Sequence, residues 1–369
     1  ATHAILWQWI GFNPTVLPHW KQLLDFVLEN RSLPEPFVYS LAGGYGAVIV
    51  LAIIPQFFIR QTGYGDARRA NRRDIKTALL ADQPGVVCGA IRQNVLAYSG
   101  PRTSGVIAPA GAGKSVGMIF PTVVNLDART SAIIHDPKHE IFDATAKWRA
   151  KIGPVFRFCP TDPTADCWNP LNGPDLPENF GDLQTYLDMI NAVLFPTNSK
   201  ESGETHWLIA ASAATKTATL FNILSARNSD ASTAFSQIYA WFAHAGQGDA
   251  YKDAKDPVGS WLIDKATEAV NAGWPDAIAD GLFVLAQKDN RERASVISTV
   301  LTRLEMFANE NVAQTTGHSS FSLRDVREGN RPITIYLDLP ENVRKSMSRL
   351  SGLFLQCLAN QTLSYSERK

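Results

Sequence analysis

The chain has 369 residues, 45% hydrophobic and 19% charged, with 35 basic against 35 acidic side chains and no formal net charge. That is the composition of a globular protein with room for two or three domains. The neutral balance excludes a general electrostatic pull on nucleic acid, so any such contact has to come from a local basic surface. The four cysteines, Cys88, Cys159, Cys167 and Cys357, form no CxxC pair and have no histidine at zinc-ligand spacing. They read as reduced, structural thiols rather than a metal site.

Residues 1–36 are rich in tryptophan (Trp7, Trp9, Trp20) and short apolar runs, which suits an extracytoplasmic segment at a membrane surface, where indole rings are favoured. The first residue is Ala1 and residues 4–10 are already apolar. This suggests an earlier membrane helix ahead of the stretch, or a removed signal. Residues 37–59 carry no charge; as a helix rising about 1.5 Å per residue they cover about 35 Å, enough to cross a bilayer. Beyond them come Arg60, Arg68, Arg69, Arg72, Arg73 and Lys76 against Asp66 and Asp74, whereas residues 1–36 hold Lys21 and Arg31 against Asp25, Glu29 and Glu35. That asymmetry puts everything after residue 60 on the cytoplasmic side and makes 60–100 a basic juxtamembrane region. A buried core helix is the competing reading of 37–59, and it leaves the charge asymmetry unexplained.

Residues 104–108 read as a strand feeding the turn Pro109-Ala110-Gly111-Ala112-Gly113-Lys114-Ser115, which opens a helix over 114–126. This is the pattern of a phosphate-binding loop. Glycines let the backbone turn its N–H groups onto a polyphosphate, and the helix N-terminus adds a positive dipole. The amides from Ala110 to Val116, with Gly111, Ala112 and Gly113, would then cradle ATP. Lys114 would reach the β- and γ-phosphates, and the Ser115 hydroxyl would ligate Mg²⁺. Ala108 stands where the usual pattern has glycine, which is tolerable if its φ stays negative.

Further strands are expected at 131–135 and 155–158, with a helix at 138–151 between them. Strand, helix, strand, helix, strand is the grammar of a doubly wound parallel sheet, with ligands at the carboxyl ends of its strands. A turn-rich boundary at 170–177 then precedes helical periodicity from about 182 to 311, broken at 246–257. In that stretch Val296, Ile297, Val300, Leu301, Leu304 and Phe307 share one helix face. Arg291, Arg293 and Arg303 fall largely away from it and read as a solvated face; the alternative is a residue reaching into a neighbouring subunit. Sheet character returns at 332–340, followed by a helix with Val343, Met347, Leu350, Phe354, Cys357 and Leu358 on one side. Hydrolysis needs a carboxylate at a strand end, and both Asp136 and Asp338 follow apolar runs; spacing does not choose between them.

Several stretches, in order, resemble one family, the TraG-like coupling ATPases of type IV secretion. They are Tyr64-Gly65-Asp66-Ala67-Arg68, Gly100-Pro101, the loop 108–115 with Ile119-Phe120-Pro121-Thr122, and Asp136-Pro137-Lys138-His139-Glu140, where His139 replaces a glycine. Phe158-Cys159-Pro160, Trp168-Asn169-Pro170-Leu171 and Ile335-Tyr336-Leu337 complete the series. The resemblance implies an α/β fold: a RecA-like P-loop ATPase domain with an all-helical insertion and an N-terminal transmembrane helix. The segments then are 1–36 extracytoplasmic, 37–59 transmembrane, 60–100 juxtamembrane, 101–172 nucleotide-binding, 173–320 helical, and 321–369 nucleotide-binding again. The family's acidic Walker B strand, ending in Asp-Glu, is expected beyond the closing helix, so the C-terminal part of the ATPase domain is taken to be missing. Asp136 becomes a second-layer residue of the catalytic site beside Lys114, and Asp338 a strand-end residue of open role. The family's cofactors are ATP and Mg²⁺. Its partners are inner-membrane components of the secretion channel, a relaxase with single-stranded DNA, effector proteins, and further copies of itself in a hexamer at the bacterial inner membrane. A nucleotide-gated docking platform with little hydrolysis of its own is the alternative function.

Overall fold

The computed structural model describes Glu29 and residues 71–77, 84–92, 94–100, 103–197, 202–229, 231–343 and 345–367. The chain divides into two units, residues 1–77 and 78–369. In the first, α1 (Arg72–Thr77) is held by a reciprocal cap: Asn71 Oδ1 accepts from the N–H groups of Arg73 and Asp74, at 2.8 and 3.0 Å, while Asp74 accepts from the Asn71 N–H at 2.7 Å. No helix among the described residues is long and apolar enough to cross a membrane, and the span read at 37–59 lies outside them.

The second unit is built on a parallel sheet of three strands, β3 (Ala132–His135), β4 (Val155–Phe158) and β5 (Thr334–Leu337), in the order β3-β5-β4. The last strand in sequence thus lies in the middle. All four of its residues are buried, and they alternate between two cores as a period of two requires. Tyr336 joins Val123 and Ile141 beneath the helices on one face, whereas Ile335 and Leu337 enter the large core on the other. On the first face α3 (Glu140–Arg149) is tied to β5 by Thr145 Oγ1 and the Tyr336 hydroxyl at 2.7 Å, and by Arg149 Nε donating to Thr334 Oγ1 at 2.8 Å. On the second, the fully buried Phe354 of α12 (Ser348–Glu367) stacks on Phe158 at 5.7 Å and meets Trp168 edge-on at 5.0 Å. Truncating such a ring costs about 3–5 kcal/mol.

Two features depart from the sequence expectation. Residues 103–109 form no strand: Val106 is half exposed and Ile107 fully so. β-branched residues favour a pleated surface only where a neighbouring strand supplies hydrogen bonds and packing, and none of the three described parallel strands pairs with 104–108. Conversely, the juxtamembrane stretch contains an antiparallel hairpin, β1 (Val86–Ile91) with β2 (Asn94–Tyr98), whose turn places Arg92 at φ 58°. It braces the helix of the glycine-rich loop, the Val87 N–H donating to Thr122 Oγ1 at 2.9 Å.

The crossover from β4 to β5 carries the helical array. Its members are α4 (Phe180–Leu194), α5 (Ser202–Ser229), α6 (Phe235–Ala243), α7 (Pro257–Asn271), α8 (Asp276–Gln287), α9 (Asn290–Leu304), α10 (Glu310–Thr315) and α11 (Asp325–Glu328). Asn179, Asp256, Asp289 and Asn309 cap α4, α7, α9 and α10 through side-chain oxygens on free N–H groups. Val296, Val300, Leu304 and Phe307 are fully buried, as their spacing requires. Arg293 corrects the solvated-face reading: it is 2% exposed, donates to the carbonyls of Ala286 and Lys288 at 2.6 and 3.2 Å, and pairs with Asp256. It thus joins the end of α8 to the start of α7, and is not available to a neighbouring subunit. The Trp-Asn-Pro-Leu element is also architectural. Asn169 Nδ2 donates to the carbonyls of Thr233 and Gly317 at 2.8 and 3.1 Å, pinning the sheet's exit loop to the array.

Candidate nucleotide site

The glycine-rich loop turns as its sequence requires. Gly111 and Gly113 both have φ +77°, a region that L side chains enter at a cost of about 1–2 kcal/mol, and no atom lies within 4 Å of where a Cβ would sit on either. Ala108 is not among the described residues with positive φ, which is why alanine is accepted there. Lys114 folds back over the loop and donates to the carbonyls of Ala108 and Pro109, both at 2.8 Å. An ammonium has a third proton to give. From Ser115 the helix begins with a π turn, Ser115–Ile119, in which the Phe120 N–H reaches the Ser115 carbonyl, and continues as α2 (Phe120–Asn125). Pro121 accounts for the wide turn, since it has no N–H for the Gly117 carbonyl and its ring crowds that oxygen.

Beside the loop lies the carboxyl end of the sheet. Asp136 follows β3 and is buried; its Oδ2 accepts from the N–H groups of Ile141 and Phe142 at 2.9 and 2.8 Å, fixing the start of α3. Asp136 Oδ1 is also buried and finds no partner among the described residues. Glu140, thereby placed at the head of α3, accepts a hydrogen bond from the Ser115 hydroxyl at 2.9 Å. Asp338 follows β5, and its Oδ2 lies 2.8 Å from His139 Nδ1 and 3.1 Å from Arg157 Nη1. Arg157 in turn pairs with Asp162. Burial lowers the Arg157 pKa, but its bonds to Asp162 and Asp338 outweigh that and leave it raised. The Thr164 hydroxyl, then the Arg157 guanidinium, hold Asp162 down at about 2. Burial pushes the Cys159 thiol up.

The sequence-derived residues therefore fall into two groups. Ala110, Gly111, Ala112, Gly113, Lys114, Ser115 and Val116 lie together in the loop and its helix, and Asp136 reaches them through α3. Sequence reasoning missed Glu140 as the partner of Ser115, 25 positions away, and the His139–Asp338–Arg157 cluster. The one available signal for His139 was its replacement of the glycine expected in that motif, a residue suited to the positive φ found there. The loop suits a magnesium nucleotide: the space beside both glycines is open, a cation stands at its head, and a hydroxyl beside a carboxylate offers hard oxygen donors.

A parallel sheet with helices on both faces, and a glycine-turned loop opening a helix with Lys-Ser beside the end of β3, defines an α/β phosphate-loop protein. The chain belongs to the type IV secretory system conjugative DNA transfer family, whose model matches residues 66–369. It is 25% identical over 373 residues to the conjugal transfer protein TraG of Escherichia coli, covering 91% of this chain and 56% of that protein. It is 33% identical over 116 residues to the protein VirD4 of Agrobacterium fabrum, covering 30% of this chain and 17% of that one. The chain thus spans about half the length of the TraG proteins it matches. Among solved structures it is similar to the plasmid coupling protein TrwB in complex with ADP and Mg²⁺, and with the ATP analogue ADPNP. Both are 13% identical, with TM-scores of 0.42 and 0.44, over 69% of this chain and 51% of theirs. The family drawn from the ordered motifs is the family found.

Proposed function

We propose that this chain is the membrane-proximal and nucleotide-binding part of a RecA-like coupling ATPase in a bacterial inner membrane. It recruits relaxase bound to single-stranded DNA, or effector proteins, and delivers them to a type IV secretion channel, working as a hexamer and hydrolysing ATP. The observation that carries the reading is the loop: two glycines at φ +77° with open space beside them, and Lys114 and Ser115 following at once. Family membership and the charge asymmetry about residues 37–59 support the rest.

In this reading the amides of 110–116 bind the phosphates, and Lys114 leaves the Ala108 and Pro109 carbonyls to neutralise the β- and γ-phosphates. Ser115 holds Mg²⁺, which when bound neutralises charge on the phosphate oxygens. Asp136 orients the head of α3 against the loop, and the helical array of 180–328 holds cargo. The test is ATP turnover by the full-length protein with and without single-stranded DNA, beside Lys114→Ala. Turnover that is present in the parent and abolished in the variant is expected. Unchanged turnover and unchanged substrate transfer in the variant would contradict the motor.

A further inference from the structure

The cation site of the loop needs more than a serine. A hydroxyl has one proton and two lone pairs, and to ligate a metal it must present a lone pair while its proton goes elsewhere. In this chain the proton goes to Glu140, at 2.9 Å. The other two candidate carboxylates do not meet Ser115. Asp136 Oδ2 is taken by two backbone N–H groups at the start of α3, while its Oδ1 is buried without a partner among the described residues, and Asp338 Oδ2 faces His139 and Arg157. Among the described residues Glu140 is the carboxylate that meets Ser115.

We propose that Glu140 is the positioning carboxylate of the magnesium site: it holds the Ser115 proton so that the oxygen faces the ion, and its solvent-facing carboxylate accepts from water in the ion's shell. The proposal rests on the nucleotide-binding reading above. Three observations support it. The bond from Ser115 to Glu140 already has the direction that metal ligation demands. Glu140 is exposed on the loop side of α3, so the bond is not a by-product of core packing. Its place is fixed from beneath, by Asp136 gripping the first N–H groups of α3. Magnesium keeps several waters and takes one or two protein oxygens together with phosphate. That fits the absence, among the described residues, of any cluster of three metal-binding side chains. No proton moves in this arrangement, since the serine keeps its bond to hydrogen throughout.

The experiment is equilibrium binding of a fluorescent ATP analogue to the whole protein, in excess Mg²⁺ and in EDTA, for the parent, Glu140→Ala and Glu140→Gln. Loss of a residue that orients a metal ligand costs about tenfold or more in metal affinity. The tightening that Mg²⁺ confers on the parent should therefore shrink about tenfold in Glu140→Ala and less in Glu140→Gln, whose amide oxygen still accepts from Ser115. Binding in EDTA should be unchanged or tighter, because a negative charge near the phosphates is gone. A purely structural role would weaken both conditions alike and would overturn the proposal. So would a full Mg²⁺ increment in Glu140→Ala. A parent protein that binds no nucleotide at all would defeat the underlying site assignment as well, which separates the two failures.

Discussion

His139 and Asp338, 199 positions apart, meet with Nδ1 of the imidazole 2.8 Å from a carboxylate oxygen, so the turn after β3 is bolted to the end of β5. The same histidine sits at φ 63°, where the family pattern has glycine. The side chain thus compensates, through a contact across the sheet, for a backbone conformation that a Cβ disfavours by about 1–2 kcal/mol. His139→Gly should lose the contact and relieve the strain together, leaving stability within about 1 kcal/mol of the parent. His139→Ala should lose the contact and keep the strain, falling below the glycine variant by about 1 kcal/mol. Urea denaturation of the three proteins gives the ranking.

Arg293 predicts a larger effect. Arg293→Ala removes a buried guanidinium from the Asp256 carboxylate and two carbonyl oxygens. The Asp256 left behind is 38% exposed and regains water, so the loss is about 1.5–3 kcal/mol, that of hydrogen bonds to a charged group. The loss should appear in chemical denaturation followed by helix signal. Nucleotide binding by the folded fraction should survive, because Arg293 and the loop belong to different parts of the fold.

Acid should weaken the end of β4 in a defined window. Asp162 has its pKa lowered from 3.8 to about 2, so its contribution is complete above about pH 3.8 and is lost as pH falls toward 2. Asp162→Asn lacks that contribution throughout. The stability gap between parent and variant should therefore narrow from pH 4 to pH 2 and close below it. Solvent screening of a side chain about a third exposed keeps the gap under about 1 kcal/mol.

The thiols separate by burial. Cys88 is exposed, whereas Cys159, Cys167 and Cys357 are buried, and burial pushes Cys357 up to about 12. A thiol reagent at pH 8 should titrate one group rapidly in the native protein and the other three only after unfolding.

What was legible in the sequence is what local physics decides. Strands β3, β4 and β5 announced themselves as short apolar runs, and the array from α4 to α10 by helical spacing. The loop was legible because glycine adopts the φ of Gly111 and Gly113 without the cost that other residues bear. What escaped depends on partners distant in sequence. Residues 104–108 have strand composition but no described neighbour to pair with, and the hairpin of β1 and β2 turns on Arg92 without the usual glycine signal. Arg293 looked solvated because helical spacing ranks faces by polarity and cannot see a carboxylate and two carbonyls waiting inside. The His139–Asp338 bond comes from the pairing of β3 with β5, and the Ser115–Glu140 bond from the meeting of the loop's helix with the head of α3; no single segment encodes either.

The most direct measurement is equilibrium titration of the folded protein with labelled ATP and magnesium, alongside Lys114→Ala. Saturable binding is predicted for the parent, weakened at least about tenfold when the ammonium is removed, as expected for a charge-assisted contact to phosphate worth about 1.5–3 kcal/mol. Absence of saturable binding in the parent, or equal affinity in the variant, would contradict the account.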